Sequence, residues 1–332
     1  MVSISAVLIV LASVFAVCAG QTHLPLRPVP ANSMHFASLG DWGSVNSDQA
    51  AVAKQIGLAL TDFNASFLLA IGDNFYEDGV VSDTDPQWNT TYEEVYTNMS
   101  LDIPWYAILG NHDHHYGRGQ GQIDFYRNKR DSRWTMPDYW YSQHFHLQES
   151  NVTVHMVFID TIILSGDGNV TWPTQRKEQY QWIEKTLEAS RADWLIVIGH
   201  YPVYSGGEHG NTPDLDENLL PLLTKYNVDM YLCGHDHTLQ HSQDSKTTTQ
   251  YFVSGNGAKR GTFTPIKQSL FGVVDPGFML HTITGLSSLH TQVIDLNGKT
   301  IYEYTQMRIP KSHDQYQITN TARSLYDNIV AK

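Results

Sequence analysis

The sequence predicts an α/β fold built from mixed sheets with helices packed on them. Short apolar runs alternate with amphipathic stretches along most of the chain, the mark of stacked strand and helix layers. Several runs are almost continuously apolar, as strands covered on both faces are. The chain then closes with strand-like segments that have no helix between them. In order, the runs are 34–39, 67–71, 105–109, 153–159, 194–198, 228–233 and 250–253. Ser47 and Asp48 are placed to cap a helix running to about Phe63, with Ala51, Gln55, Leu58 and Asp62 on successive turns. Thr174 opens a second helix with Tyr180, Ile183 and Leu187 on one face, and residues 213–226 form a third. Residues 277–283, 289–294 and 300–307 read as antiparallel strands, the last two joined at Asn297-Gly298. No repeat and no linker rich in Gly, Ser and Pro divides the chain after residue 31. A single domain over residues 31–310 is expected, with 311–332 as a C-terminal tail.

Composition narrows the function classes. A chain of 332 residues, 41% hydrophobic, 11% aromatic and 17% charged, has the material for a buried core and is not a disordered segment. Its formal charge of −13 argues against nucleic acid or an anionic membrane as partner. Residues 1–20 carry no charge, hold an apolar stretch from about residue 6 to 17, and end in the small residues around Ala19. This pattern reads as a cleaved secretory signal. The stretch is shorter than the ~20 residues a membrane span needs, so no stable insertion is expected after cleavage. Asn64, Asn89, Asn98, Asn151 and Asn169 each open an N-x-S/T sequon, which makes them expected glycosylation sites. The destination expected is the exterior or the lumen of the secretory route, lysosome included. Cys18 leaves with the signal, so the remaining chain keeps only Cys233 and no internal disulfide. Cys233 ends an apolar run and is expected to be a reduced core thiol.

Chemistry gathers where the runs stop. Five of them end at a glycine followed by side chains that can hold a metal: Gly40-Asp41, Gly72-Asp73-Asn74, Gly110-Asn111-His112-Asp113, Gly199-His200 and Gly234-His235-Asp236-His237. Open α/β sheets bind ligands beyond the carboxyl ends of their strands, where such loops converge. Asp41, Asp73 and Asn111 offer oxygen, and His200, His235 and His237 offer imidazole nitrogen. One tetrahedral zinc needs only four donors. A larger mixed O and N set fits two metals with a bridging carboxylate, and suits Fe, Zn or Mn rather than calcium. Paired ions suit in-line displacement at phosphorus, so residue types and spacing point to a dinuclear phosphoester hydrolase.

The ordered set GDWG (40–43), GDNFY (72–76), GNHD (110–113), GHYPV (199–203) and GHDH (234–237) resembles the metallophosphoesterases, and most closely the tartrate-resistant type of purple acid phosphatase. The resemblance runs from about residue 34 to 308 and implies a four-layer α/β/β/α sandwich. It implies that Asp41, Asp73, Tyr76 and His237 hold Fe(III), while Asp73, Asn111, His200 and His235 hold a divalent Fe, Zn or Mn. Tyr76 sets this subgroup apart, because a phenol becomes a ligand in acid only when a strong Lewis acid displaces its proton. Phenolate-to-iron charge transfer gives the family its purple colour. The activity implied is that of an acid phosphatase cleaving phosphate monoesters, small molecules or phosphoproteins, by in-line attack of a hydroxide held by the ferric ion. His112 is expected to donate to the phosphate or the departing alkoxide, with Asp113 orienting its ring. His209 matches the family's second substrate histidine, and Glu208, like Asp113, is expected to support a substrate histidine from outside the donor set.

Two further function classes share parts of this pattern. Phosphodiesterases and nucleotide hydrolases of the same superfamily have the motifs without the tyrosine. An iron-binding or redox protein would use the Fe(III)/Fe(II) couple alone. Tyr76 with His112 and His209 favours the monoesterase. The remaining histidines read as bland, with His114 and His115 solvated and His144, His146 and His155 structural. The family's long repressive loop is replaced by the short segment 161–172, which makes repression there doubtful.

Overall fold

The computed structural model describes residues 31–166 and 173–308. The signal at 1–20, the sequon at Asn169, the tail at 311–332 and half of the short segment 161–172 fall outside the described residues. Two seven-stranded sheets form the centre. In the first, β1 (Ser33–Leu39), β2 (Phe67–Ile71), β3 (Trp105–Ile108) and β4 (Trp134–Thr135) run parallel, and β12 (Gly277–Thr284), β13 (Ser288–Asp295) and β14 (Thr300–Met307) add to the free edge of β1 antiparallel. In the second, β6 (Thr153–Phe158), β7 (Trp194–Ile198), β8 (Met230–Cys233) and β10 (Gln250–Ser254) are parallel. Antiparallel β5 (Tyr141–His146) closes one side, and β9 (Leu239–Gln243) with β11 (Ser269–Val273) closes the other.

Side-chain alternation in the strands builds the layers. Phe36, Phe67, Leu69 and Ile108 from the first sheet meet Met156, Ile196, Leu232 and Phe252 from the second in one buried cluster between the sheets. Their sequence neighbours point the other way. Leu39, Leu68 and Trp105 pack outward under Val52, Ile56 and Leu60 of α1 (Ser47–Phe63). Val197, Tyr231 and Val253 pack under Ile183 and Leu187 of α5 (Pro173–Ala189), Leu215 of α6 (Pro213–Asn218) and Leu223 of α7 (Leu220–Lys225). Period-two strands with both faces apolar thus produce the α/β/β/α sandwich. Three further short α-helices lie among the described residues: α2 (Asn111–His114), α3 (Gln120–Arg127) and α4 (Thr161–Ser165). Among the described residues no helix is long and apolar enough to cross a membrane.

Local differences from the sequence reading have local causes. The first helix is capped by Asn46, whose side chain accepts the Gln49 N–H at 2.9 Å, so Ser47 and Asp48 lie inside the first turn. Its buried stripe follows Val52, Ile56 and Leu60, and Leu58 and Asp62 face solvent. The helix expected over 213–226 is two helices. Pro221 lacks the N–H that a continuous ladder would take from it, and the break falls at Leu219. Cys233 is a buried free thiol.

Candidate metal centre

Every candidate donor lies just past the carboxyl end of a parallel strand. Asp41 follows β1, Asp73 and Tyr76 follow β2, and Asn111 opens α2 after β3. His200 follows β7, and His235 and His237 follow β8. The two sheets therefore deliver their donors to one common edge. Backbone hydrogen bonds stitch these ends together: Gly40 N to Ser254 O at 2.8 Å, Asp41 N to Gly72 O at 3.0 Å, and Gly234 N to His200 O at 3.0 Å. Asp41, Asp73 and His235 adopt left-handed φ values of 57°, 50° and 70°. Non-glycine residues avoid this region unless the surroundings hold them there, and such strain collects at functional sites. Gly72, at φ 93°, is required as glycine on two grounds, since a Cβ there would also strike the His200 ring.

The donors fall into two clusters that share Asp73. The Tyr76 hydroxyl lies 2.9 Å from Asp73 Oδ2, 3.2 Å from Asp41 Oδ1 and 3.3 Å from His237 Nε2. The Asn111 side-chain oxygen lies 3.2 Å from His200 Nε2 and 3.1 Å from His235 Nδ1. The other Asp73 oxygen, Oδ1, is 3.5 Å from His200 Nε2. His200 turns its Nδ1 to the Ile71 carbonyl at 2.9 Å, which directs Nε2 toward the cluster, and the neighbouring Asp73 and Asp41 carboxylates outweigh burial and raise its imidazole to about 9.

This set fits metal ions on its own chemistry. Asp41 and Asp73 are buried, and neither touches a Lys or Arg side chain among the described residues. Ligand atoms of Asp41, Asp73 and His200 all lie within 4.8 Å of one another. Burial pushes the Asp41 carboxyl well above the ordinary carboxylate range. Burial also opposes the Asp73 charge, but the His200 imidazole beside it outweighs burial and holds that carboxyl low. Tyr76 is pushed up by burial and by both carboxylates, so its phenol keeps its proton unless a strong Lewis acid displaces it. Burial lowers His237 to about 4 and drives His235 down, so both imidazoles stay neutral and able to ligate well into acid.

The histidines expected to meet substrate sit on either side of the donors. The His112 ring is 4.4 Å from the Tyr76 ring, and the His209 ring stacks on His235 at 4.2 Å. His112 Nδ1 lies 2.6 Å from the Glu77 carbonyl. A carbonyl only accepts, so Nδ1 carries the proton and Nε2 is left for a ligand.

Three sequence expectations are corrected. Asp113 does not orient the His112 ring. It is buried and accepts from Gly110 N, Asn74 N, Phe75 N and Gln122 Nε2, which clamps the 72–76 loop to the 110–113 turn. Glu208 is exposed and makes no hydrogen bond or ion pair among the described residues. His114 is not solvated, because it is buried with Nε2 2.6 Å from Asp160 Oδ2, a partner supplied by a different strand end. His115 is exposed and His155 buried, as expected. The sequence reading missed Asp236, whose carboxylate accepts the Ser205 hydroxyl and, at 2.8 Å, the His209 N–H. Its place between two donor histidines was the available signal. Lys259 was also missed. Its ammonium lies 3.6 Å from the centroid of the Tyr76 ring, and nothing in its sequence neighbourhood marks it.

Comparison with known proteins agrees with this geometry. The family described as calcineurin-like phosphoesterase matches residues 34–239. Tartrate-resistant acid phosphatase type 5 of Rattus norvegicus is 38% identical over 69% of this chain and 73% of its own length. The Sus scrofa protein of the same name is 34% identical over 93% and 97%. Among solved structures, GAP50, described as the anchor in the inner membrane complex of Plasmodium, is similar with a TM-score of 0.77 at 28% identity, over 84% of this chain and 90% of that one. A matched family model and relatives 34–38% identical that align with 69–93% of the chain lead to one conclusion: the chain belongs to the calcineurin-like phosphoesterases and, within them, to the tartrate-resistant purple acid phosphatases.

Proposed function

We propose that this protein is a dinuclear-metal acid phosphatase that hydrolyses phosphate monoesters in a secretory lumen or outside the cell. The observation that supports it most is the division of Asp73, which offers Oδ2 to the Tyr76 cluster and Oδ1 to the Asn111 cluster. Asp41, Asp73, Tyr76 and His237 would hold Fe(III), and Asp73, Asn111, His200 and His235 a divalent Fe, Zn or Mn. Bound there, the two ions would supply Lewis-acid charge and activate water in acid. The chain's own groups supply the rest. His112 has Nδ1–H committed to the Glu77 carbonyl, so a further proton goes to Nε2, which can then donate to the phosphate or the leaving alkoxide. His209, steadied by Asp236, stands beside the other cluster, where an imidazolium neutralises charge developing on the phosphoryl group. Residues 1–20 would be removed as a signal, leaving residues 31–310 as the catalytic domain and 311–332 as its tail. Glycans would sit at Asn64, Asn89, Asn98, Asn151 and Asn169; the exposed positions of Asn89 and Asn151 support this.

The test is phosphate release from an aryl phosphate in excess tartrate between about pH 4 and 8, with metal content measured on the same samples. Asp73→Ala should lower turnover on the order of 1000-fold or more and release bound metal. Two bound metals with no phosphate release from the parent protein would overturn the monoesterase reading.

A further inference from the structure

One cation stands against the donor cluster without being a donor. The Lys259 ammonium lies 3.6 Å from the centroid of the Tyr76 ring and 3.2 Å from Glu77 Oε1. Its backbone is held on both sides: Gly257 N donates to Gly40 O at 3.0 Å, and Gly261 N donates to His237 O at 2.9 Å. Asn46 Nδ2 donates to the Ala258 carbonyl at 2.8 Å as well. The segment carrying Lys259 is therefore tied to the start of one donor loop and to a donor histidine of another. Its neighbour Arg260 is directed elsewhere, toward Asp48 and Asp275. Glu77, the counter-charge of Lys259, is 69% exposed, so water weakens it, whereas the ammonium rests directly on the ring.

We infer that Lys259 is a positioning residue that acts through Tyr76, its ammonium lowering the energy of the ring electrons that the phenolate donates to a ferric ion. This rests on the reading of Tyr76 as an iron ligand. The argument is electrostatic. The highest filled orbital of a phenolate spreads over oxygen and ring, and a positive charge above the ring stabilises it. Moving an electron from that orbital to iron then takes more energy, so the visible band lies at shorter wavelength than it would without Lys259. The Glu77 carboxylate opposes the ammonium, which gives the two side chains opposite signs.

The experiment records the visible spectrum of the iron-loaded protein and three variants, with iron content measured for each. Lys259→Met should move the band to longer wavelength, Lys259→Arg should return it toward the parent position, and Glu77→Gln should move it to shorter wavelength. A loss of packing alone would not give opposite shifts for the two partners or rescue by arginine. A band that stays at the parent wavelength in Lys259→Met, with iron bound, overturns the inference. If Lys259→Met fails to fold, Glu77→Gln decides: a shift to shorter wavelength supports the inference, and no shift overturns it. A parent protein that binds iron but has no visible band fails differently, because it removes Tyr76 as a ligand and the inference with it.

Discussion

The two donor clusters share Asp73 and differ in almost everything else. Around the Tyr76 hydroxyl stand two carboxylates and one imidazole; around the Asn111 oxygen stand two imidazoles, with Asp73 as the sole carboxylate. Carboxyl and phenol oxygens are therefore concentrated at one end of the site and imidazole nitrogens at the other. Hard oxygen donors suit a small, highly charged cation, while imidazole and amide suit a divalent one. Each cluster also draws on both sheets: His237 joins three donors from the first sheet, and His200 and His235 join Asn111 and Asp73. The lesson is that the sandwich makes two unequal sites from one row of strand ends.

Single-residue changes should separate the clusters if they are distinct. Tyr76→Phe should abolish the visible band yet leave the divalent ion bound. Asn111→Ala should keep the band and weaken the divalent ion by about 10- to 100-fold, read by metal analysis after dialysis against a chelator. Loss of both metals in both variants would show that the clusters are not separable.

A buried imidazole outside both clusters sharpens the contrast. His281 sits between two hydroxyls, that of Ser38 at 3.0 Å and that of Thr291 at 2.9 Å. Burial, helped by His290, lowers it to about 3. It stays neutral in the fold and gains a proton below about pH 6.5 on unfolding, so stability falls as pH drops from there toward 3. At pH 5 the loss is about 2 kcal/mol. His281→Gln, which cannot titrate, should shrink the drop between pH 7 and 5 in urea unfolding by that amount; an unchanged drop would assign the acid sensitivity to other groups.

The smallest expected effect concerns the loop over the Asn111 cluster. Asp236→Asn weakens the anchor of His209 without removing a donor. It should lower kcat about tenfold with metal content intact. Unchanged kcat would show that His209 needs no such support.

Legibility followed chemistry at the element level. The apolar strands stood out because both their faces are buried. By contrast β9, with the sequence LQHSQ, is not one of the apolar runs and yet is a buried strand. Its polar side chains find distant partners, Gln240 with Ser205 and His241 with Gln250 and Tyr302, and none of these is a sequence neighbour. The donor residues were readable because glycine precedes most of them and the strand ends set their spacing. His114 was misread for the opposite reason, since its partner Asp160 lies far along the chain.

By itself the sequence determined the order of the apolar strands, the residue types at their ends and the family, because these depend on local periodicity and on motif residues adjacent in the chain. Only the tertiary structure decided how Asp73 divides its two oxygens, which loops Asp113 and Asp236 hold, and that Lys259 rests on Tyr76. Those outcomes depend on distances between chain segments that meet only when the two sheets pack, and no local pattern encodes such distances.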